Sequence, residues 1–526
     1  MNRRNLSHFR AAIAYAAASV IIWGIPGQAA AQSLTVALSM SATSLDPLFY
    51  VGGANSALAR SIFDPLVMQD QHQALKPDLA IAWRPISDTE WEFKLRPSVR
   101  FHDGSPFGAP DVVASIERVA VAAQGSPSSF RSFVKNIKLV RVVDDLTIRI
   151  VTDRPTPLLP ANLSRISIMP RADAHLTTQQ LNDGIGVIGT GPFKFAGWKR
   201  DDHVDLVRNP GYWAGQAPWD HVTLRFLSDD GARLAALLGG DVDMVESVPT
   251  PDVAHLRRSN HVTLSAITSN RVLYLDPDVA RETSPYASGP DGKNPLRLLA
   301  VRRAMALAID RQALIARIAD GQGEIAAQLV PNGYFGASPS IKPLPYDPAK
   351  ARALLQSVGL AHGFRLTFHA TNDRYPNDAQ IAQALGQMWS RIGIDVQIVT
   401  LPGSVYFPRA THREFSLIMG GAADETGEAS GVLGPLLATY GPSQGQGNRG
   451  RYSSPAFDQA LSTALATIDD QRRSTLLQQA MQIGMSELGV IPLYFVTNTW
   501  ALRKGLHYAP RTDGYTLPYY VYAVRS

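Results

Sequence analysis

A chain of 526 residues with 45% apolar and 18% charged residues is typical of a folded globular protein, and it is too long for one hydrophobic core, so we expect two or three domains. It contains no cysteine, which excludes disulfides, thiolate metal sites and a lipid-modified cysteine. The net charge of +5 is lowered by three, to +2, without the arginines of the first ten residues, and no basic block with interleaved aromatic residues follows, so we expect no nucleic-acid partner.

The N-terminus has the features of an export signal. Three arginines precede an apolar run at 11–25, which has the length of a signal-peptide core and is too short to span a bilayer. Small residues after this run predict cleavage between Ala31 and Gln32. A membrane anchor is the alternative, but no second apolar span follows. We therefore expect a periplasmic mature protein without residues 1–31, exported by either the Sec or the twin-arginine route.

The first part of the mature chain is predicted to contain short strands and few helices. The alternating pattern of Glu90–Leu95, with Trp91 and Phe93 on one face, is typical of a half-buried strand. Residues 71–184 therefore form a mixed block with one clear helix. The other predicted elements are a strand at 34–40, a helix at 56–63, a helix starting at Pro110 and a hairpin at 137–150.

The second part of the chain alternates helices with strands from about residue 294 onward. This alternation is the pattern of a parallel sheet with helices packed against it. The predicted helices begin at Asn294, Asp347, Asn377, Ser454 and Asp469, and the predicted strands are 364–369, 394–399, 415–419 and 490–496.

The segment 415–424 combines a buried strand with an acidic residue. Residues 415–419 are mostly apolar on both faces, Gly420 and Gly421 predict a corner, and Asp424 follows. Open α/β sheets bind their ligands just beyond the carboxyl ends of their strands, which makes Asp424 a candidate ligand-binding residue. The alternative is that Asp424 caps a helix starting near Thr426.

Motifs for catalysis, metal binding or nucleotide binding are weak. The string Gly445-x-Gly447-x-x-Gly450 matches a dinucleotide motif, but it neither follows a strand nor opens a helix, so it predicts a flexible loop. No nucleophile elbow, zinc-binding helix motif or phosphate loop is present, and the twelve histidines are scattered. We therefore expect no enzymatic activity, no cofactor and no metal site.

Several spaced motifs resemble the peptide/nickel family, family 5, of solute-binding proteins that serve ABC importers. They are SLDPLFY, the segment from LVMQDQHQALKPDL to PDVVASI, GTGPFKFAGW, RNPGYW and VRRAMALAIDRQALI, and they cover nearly the whole mature chain in order. The resemblance implies the α/β, two-lobed periplasmic-binding-protein fold, with two crossing segments and an extra subdomain on the first lobe. The implied boundaries are 32–70, 185–271 and 493–526 for lobe I, 71–184 for the extra subdomain, and 272–492 for lobe II. The crossings are expected near 270–276 and 491–496.

The resemblance also suggests ligand-binding residues. In peptide-binding relatives, a Gly-Trp-x-x-Asp segment presents its aspartate to the α-ammonium group of the peptide. Asp424 matches that aspartate, whereas Gly421 replaces the tryptophan. In dipeptide-type relatives, an arginine ahead of a helix receives the peptide carboxylate. Arg374 is about two residues from the matching position in this sequence, although it could instead be a solvated loop residue.

Two further segments match ligand-facing parts of the family. Gly52, Gly53 and Asn55 belong to a loop that faces the ligand in relatives, but the glycines could only be making a turn. Asn270 and Arg271 lie at the first crossing, where they could contact ligand or act as hinge residues.

These features predict the substrate-binding component of an ABC importer, acting as a monomer. It would capture a short peptide or peptide-like zwitterion and deliver it to an inner-membrane permease. A nickel complex or a sugar is the main alternative ligand, although a bare nickel ion would prefer several imidazoles and the segments named above contain none. A sensor subunit and a secreted hydrolase are the alternatives from other functional classes.

Overall fold

The computed structural model describes residues 32–122 and 130–524, so the predicted signal peptide at 1–31 lies outside the described residues. The strands of the described residues are β1 (Ser33–Leu38), β2 (Val67–Gln69), β3 (Leu75–Pro77), β4 (Ala80–Ser87), β5 (Glu90–Leu95), β6 (Ile137–Asp144), β7 (Thr147–Thr152), β8 (Phe193–Lys199), β9 (His203–Arg208), β10 (His221–Phe226), β11 (Met244–Val245), β12 (Val262–Pro277), β13 (Ala287–Ser288), β14 (Gly323–Ile325), β15 (Arg365–Thr371), β16 (Asp395–Leu401), β17 (Leu417–Ala422), β18 (Ile491–Arg503), β19 (Leu506–Tyr508) and β20 (Val521–Ala523).

The α-helices of the same residues are α1 (Gly53–Ile62), α2 (Ala109–Ala122), α3 (Arg131–Val134), α4 (Leu159–Leu163), α5 (Thr178–Asn182), α6 (Asp230–Gly239), α7 (Thr250–Arg257), α8 (Leu299–Leu307), α9 (Arg311–Arg317), α10 (Pro348–Ser357), α11 (Asp378–Ser390), α12 (Gly403–Thr411), α13 (Ser430–Leu437), α14 (Pro455–Leu465) and α15 (Asp470–Ser486). The strand Glu90–Leu95 and the hairpin of β6 and β7 confirm the predictions for those segments. The helix predicted at 56–63 begins earlier, at Gly53.

Two long strands, β12 and β18, pass through the middle of the largest sheet. They are antiparallel and pair from Val262 opposite Arg503 to Leu275 opposite Ile491. The strands β11, β1, β10, β9 and β8 lie in order on one side of this pair, and β17, β15 and β13 lie on the other. The two strands are therefore the crossing segments, and the ordered pairing of β12 is interrupted between Thr268 and Val272.

Separate hydrophobic cores lie at the two ends of the crossing strands. The first core joins Leu34 and Val36 of β1 to Trp500 and Leu502 of β18. At the other end, alternate residues of β12 enter two different cores, so both faces of the sheet are covered there. Leu273 and Leu275 pack in one of these cores, and Val272 and Tyr274 pack in the other. This arrangement gives two lobes joined by two strands.

A second, four-stranded antiparallel sheet, in the order β4-β5-β7-β6, lies beside the first lobe. The helix α2 ties this region to the loop after β1 through Arg118, which donates to both carboxylate oxygens of Asp46 at 2.8 and 2.9 Å. Both side chains are almost fully buried, and Asp46 also accepts from the hydroxyl of Thr178. This ion pair, which we call the anchor, ties α2 to the loop after β1, and the apolar residues of β5 and β7 also pack in one core with β1.

The corner predicted at Gly420 and Gly421 is wrong, because both residues lie inside β17, opposite Tyr274 and Leu273 of β12. A Cβ atom at Gly420 would lie 2.8 Å from the ring of Tyr274, and one at Gly421 would lie 2.6 Å from the ring of Tyr375. The glycines are therefore needed for the close approach of two aromatic rings rather than for a turn.

Candidate ligand-binding site

A cavity of about 550 Å³ lies between the two lobes, next to the crossing strands. The segment 246–251 contributes to its wall from the first lobe, and the segment 373–377 contributes from the second. Residues 496–500 of β18 and Arg271 of β12 line it between them. Two of the predicted ligand-binding residues, Arg271 and Arg374, are thereby brought into one cavity.

The ring of Tyr375 lies beside Arg374 and covers the strand at Gly421. The hydroxyl of Tyr375 accepts a hydrogen bond from the backbone N–H of Gly421 at 2.8 Å, and the guanidinium of Arg374 lies 5.6 Å from the centre of the ring. Tyr375 is buried. An aromatic ring from the loop before α11 therefore packs directly against the glycine in β17.

The guanidinium groups of Arg271 and Arg374 have no ion pair and no hydrogen bond to any other described residue. Burial lowers the pKa of Arg271, and the positive charge of Arg374 lowers it further, although the nearby Tyr375 acts in the opposite direction. Arg271 is half-buried and Arg374 is exposed at the cavity wall. An anion in the cavity would be stabilised by charge-assisted hydrogen bonds from these two groups.

The carboxylates in the cavity wall already have partners within their own lobes. Asp230 pairs with Arg233, and Glu246 accepts from both the backbone N–H and the hydroxyl of Ser39 at 2.8 Å. Asp373 accepts from the backbone N–H of Gly403 at 2.7 Å. None of the three forms an ion pair with either arginine of the cavity, as far as the described residues show.

The predicted residues Asn270 and Asp424 meet in a second cluster, which does not line the cavity. The side-chain amide of Asn270 donates to the side-chain carbonyl of Gln73 at 2.7 Å and to the backbone carbonyl of Asp424. Gln73 also donates to that carbonyl at 3.0 Å and accepts from the hydroxyl of Tyr334 at 2.8 Å. This cluster joins the turn after β2 to the loop after β17, and so connects the lobes.

The carboxylate of Asp424 is held by its own loop. It accepts from the backbone N–H and the hydroxyl of Thr426, at 2.9 and 2.8 Å, and from the backbone N–H of Gly427. Asp424 is only 1% exposed, and burial raises the pKa of its carboxyl group to about 6. This is a capping arrangement for a turn, and α13 begins only at Ser430. To reach a ligand ammonium, the carboxylate would have to leave this turn, so that role stays a prediction.

The Asp424→Asn variant is expected to change how stability depends on pH. The folded-state pKa of about 6 lies above the ordinary value of 3.8, so burying the ionised form costs stability. The free energy of unfolding of the wild-type protein should therefore fall as pH rises from about 4 to 6, and Asp424 should account for at most about 3 kcal/mol of this fall. The variant lacks this contribution because asparagine does not titrate. Urea unfolding at pH 4.5 and 8 should show the wild-type protein losing stability relative to the variant.

Asp201→Asn is the matched control, because it makes the same substitution at an exposed position. A stability difference between Asp424→Asn and the wild-type protein that is the same at both pH values would contradict the assignment of the raised pKa. Unchanged stability together with a thirtyfold or larger loss of ligand affinity would instead support contact with a ligand ammonium.

Gly52, Gly53 and Asn55 lie at the start of α1 and do not line the cavity. The amide of Asn55 donates to the backbone carbonyl of Ser44 at 3.3 Å and its carbonyl accepts from the backbone N–H of Thr43 at 3.1 Å. Asn55 thus fixes the loop after β1, and its proposed contact with ligand stays a prediction.

Sequence reasoning missed Tyr375, Gln73 and the contact that joins the lobes beside the cavity. There, the side-chain amide of Asn377 donates to the hydroxyl of Thr250 at 2.9 Å. Asn377 has a positive φ of 58°, which asparagine tolerates better than most residues. The residue type is therefore the only feature of the sequence that is consistent with this unusual backbone. Nothing in the sequence near Gln73 indicates that it contacts a loop 350 residues away.

Within 32–122 and 130–524, no three histidine, aspartate or glutamate side chains are placed to hold a metal ion together. No helix in those two ranges has both the length and the apolar character needed to cross a membrane.

The chain is similar to known binding proteins over most of its length. It is 30% identical over 461 residues to the glutathione-binding protein GsiB of Pectobacterium atrosepticum, covering 86% of each chain. It is 29% identical over 479 residues to GsiB of Salmonella typhi, covering 88% of this chain and 89% of the relative.

Solved structures show the same fold. DppA from Helicobacter pylori in complex with the peptide STSA is similar with a TM-score of 0.72 and 24% identity, covering 93% of this chain and 98% of that one. HbpA2 from Haemophilus parasuis is similar with a TM-score of 0.80 and 24% identity, covering 94% and 100%. The fold is therefore the two-lobed periplasmic-binding-protein fold.

The family match covers the larger part of the chain. Residues 74–444 match the family described as bacterial extracellular solute-binding proteins, family 5 Middle. The match includes the segments 246–251 and 373–377 of the cavity wall, whereas the residues of β18 lie beyond it. The chain thus belongs to the bacterial extracellular solute-binding proteins of family 5.

Proposed function

We propose that this protein is the periplasmic substrate-binding component of an ABC importer, and that it captures a short peptide or peptide-like zwitterion between its lobes. The observation that carries this proposal is the cavity of about 550 Å³, which both lobes and both crossing strands line. Its volume is in the range that small-molecule ligands fill, about 300–1,000 Å³, and suits a peptide of a few residues.

The charges of the wall support a ligand with a free carboxylate. Arg374 belongs to the second lobe and has no anionic partner among the described residues, so a ligand carboxylate would complete its hydrogen bonding. The curated relatives bind glutathione, a tripeptide with two carboxylates and one ammonium group. A ligand of this chemical class fits a cavity that has cationic groups without partners.

Capture would work through differential contact with the two lobes. A ligand that touches both walls stabilises the closed arrangement, and the two crossing strands allow the lobes to rotate as bodies. We also propose that the lobe boundaries lie near residues 272 and 492. The protein would act as a monomer, deliver its ligand to an inner-membrane permease, and be exported with cleavage before Gln32.

The Arg374→Gln variant tests the site. A hydrogen bond to a charged group contributes about 1.5–3 kcal/mol, so the variant should bind free peptides about ten- to a hundredfold more weakly. The same change should barely affect C-terminally amidated peptides, which offer no terminal carboxylate. Isothermal titration calorimetry with di- and tripeptides, together with mass spectrometry of whatever co-purifies with the protein, measures both effects.

Arg84→Gln is the matched control, because Arg84 is exposed in the extra subdomain and far along the chain from the cavity wall. Wild-type protein that binds no peptide but binds a nickel complex or a sugar would refute the proposed ligand class. An equal loss of affinity in the Arg374 and Arg84 variants would refute the proposed site.

A further inference from the structure

We propose that Arg271 binds a second carboxylate, so that the preferred ligands carry an acidic side chain in addition to the terminal carboxylate received by Arg374. This inference rests on the proposed function and specifies the substrate class of the same cavity. Arg271 lies on the crossing strand β12, whereas Arg374 lies on a loop of the second lobe, so the cavity is cationic at two points of its wall.

The backbone of Arg271 lies at the irregular point of the crossing strand, where the pairing of β12 with β18 is interrupted between Thr268 and Val272. Its N–H donates to the hydroxyl of Ser269 at 3.1 Å, and the neighbouring Asn270 is fixed by Gln73 and by the backbone carbonyl of Asp424. Arg271 therefore lines the cavity from a segment that is hydrogen-bonded to both the turn after β2 and the loop after β17, and this position favours a role in recognition.

The guanidinium of Arg271 is not neutralised by the protein. Arg271 is half-buried, and no described carboxylate pairs with it. The acidic residues of the same wall are engaged elsewhere: Asp230 by Arg233, and Glu246 by Ser39 and Thr516. The positive charge of Arg374 acts on Arg271 and contributes to lowering its pKa, after the larger effect of burial.

A ligand with two carboxylates would give an anionic partner to both guanidinium groups. Each guanidinium can form a two-point contact with one carboxylate, and each such pair is a charge-assisted hydrogen-bonded contact. A ligand with one carboxylate would leave one cation unpaired, or would bridge both arginines with a single group. These possibilities can be told apart by measurement. Only a site in which each arginine binds its own carboxylate prefers ligands with an acidic side chain.

The test uses tripeptides with a single glutamate at the first, second or third position, each compared with the peptide that has glutamine there. Titration calorimetry with the wild-type protein should show at least one pair in which glutamate is preferred about tenfold or more. In Arg271→Gln that preference should fall to about one, and in Arg271→Lys it should be intermediate, because the charge remains but the two-point contact is lost. The wild-type preference should also decrease as salt concentration rises.

Equal affinities within all three wild-type pairs would overturn the inference and would indicate a single carboxylate bridging both arginines. A preference for glutamate that persists in Arg271→Gln would overturn it as well. Absence of binding to all the peptides would refute the proposed function rather than this inference. Thermal unfolding of each variant shows whether it is folded, and if Arg271→Gln is not, the lysine variant and the wild-type pairs still decide the result.

Discussion

Replacing Arg118 with alanine is expected to lower the free energy of unfolding by about 3–5 kcal/mol. Arg118 donates two hydrogen bonds to the carboxylate of Asp46, and the exposed fractions of the two side chains are 4% and 0%. Truncating Arg118 leaves Asp46 as a buried charge without its ion-pair partner, which costs more than the pair contributes by itself. Urea unfolding followed by circular dichroism measures the change, and loss of the anchor should affect the extra subdomain first.

Arg84→Ala provides the matched control for this prediction. Arg84 also pairs with a carboxylate, Glu92, at 3.0 Å, but its side chain is 69% exposed. Exposed ion pairs contribute about 0–1 kcal/mol, so this variant should unfold nearly like the wild-type protein. Similar losses in the two variants would mean that burial does not determine the contribution of the Arg118 pair.

Introducing the tryptophan of the peptide-binding relatives at Gly421 is expected to reduce ligand affinity by at least tenfold. Even the first side-chain atom would lie 2.6 Å from the ring of Tyr375, so that ring must leave its place. The hydrogen bond from the Gly421 N–H to the Tyr375 hydroxyl would be lost, and overpacking costs about 1–3 kcal/mol. The displaced ring would enter the cavity that Tyr375 lines, which is why binding should suffer more than folding.

The double variant Gly421→Trp with Tyr375→Ala should recover the melting temperature at least in part, because the indole then occupies the space of the removed ring. Gly434→Ala is the control, since a Cβ atom at Gly434 meets no other atom within 4 Å. If Gly421→Trp alone melted and bound ligand like the wild-type protein, Tyr375 would not be the residue that fills this part of the site.

The elements that could be predicted from the sequence are those whose signals are local. Glu90–Leu95 was identified from the alternation of its side chains, and the β6–β7 hairpin from its polar turn. The fold class itself came from the resemblance of spaced motifs, because strand and helix patterns alone do not specify how two lobes share one sheet. The range of β17 was mistaken because glycine is a turn signal in most contexts, whereas here Gly420 and Gly421 admit aromatic rings from distant segments.

The candidate site was only partly predictable for the same reason. Arg271 and Arg374 were identified, but the structure was needed to show that they share a cavity and have no anionic partners among the described residues. Asp424 carried two compatible signals, a strand end and a cap, and only its contacts with Thr426 and Gly427 show how its carboxylate is held. The ion pair of Asp46 could not be predicted either, because its partner Arg118 is 72 positions away in the sequence.

The first core contains residues from opposite ends of the chain, and this affects the order in which the protein can fold. Leu34 and Val36 lie near one end of the described residues, 32–122 and 130–524, and they pack with Trp500 and Leu502 near the other end. The ribosome must therefore complete almost the whole chain before the first lobe has its last strand, whereas residues between the crossings can assemble earlier. Contacts of such long sequence separation also slow folding, because a large loop must close before they form. A newly made chain would thus lack a complete first lobe until its last residues are made, which would suit the proposed export by a pathway that threads unfolded chains.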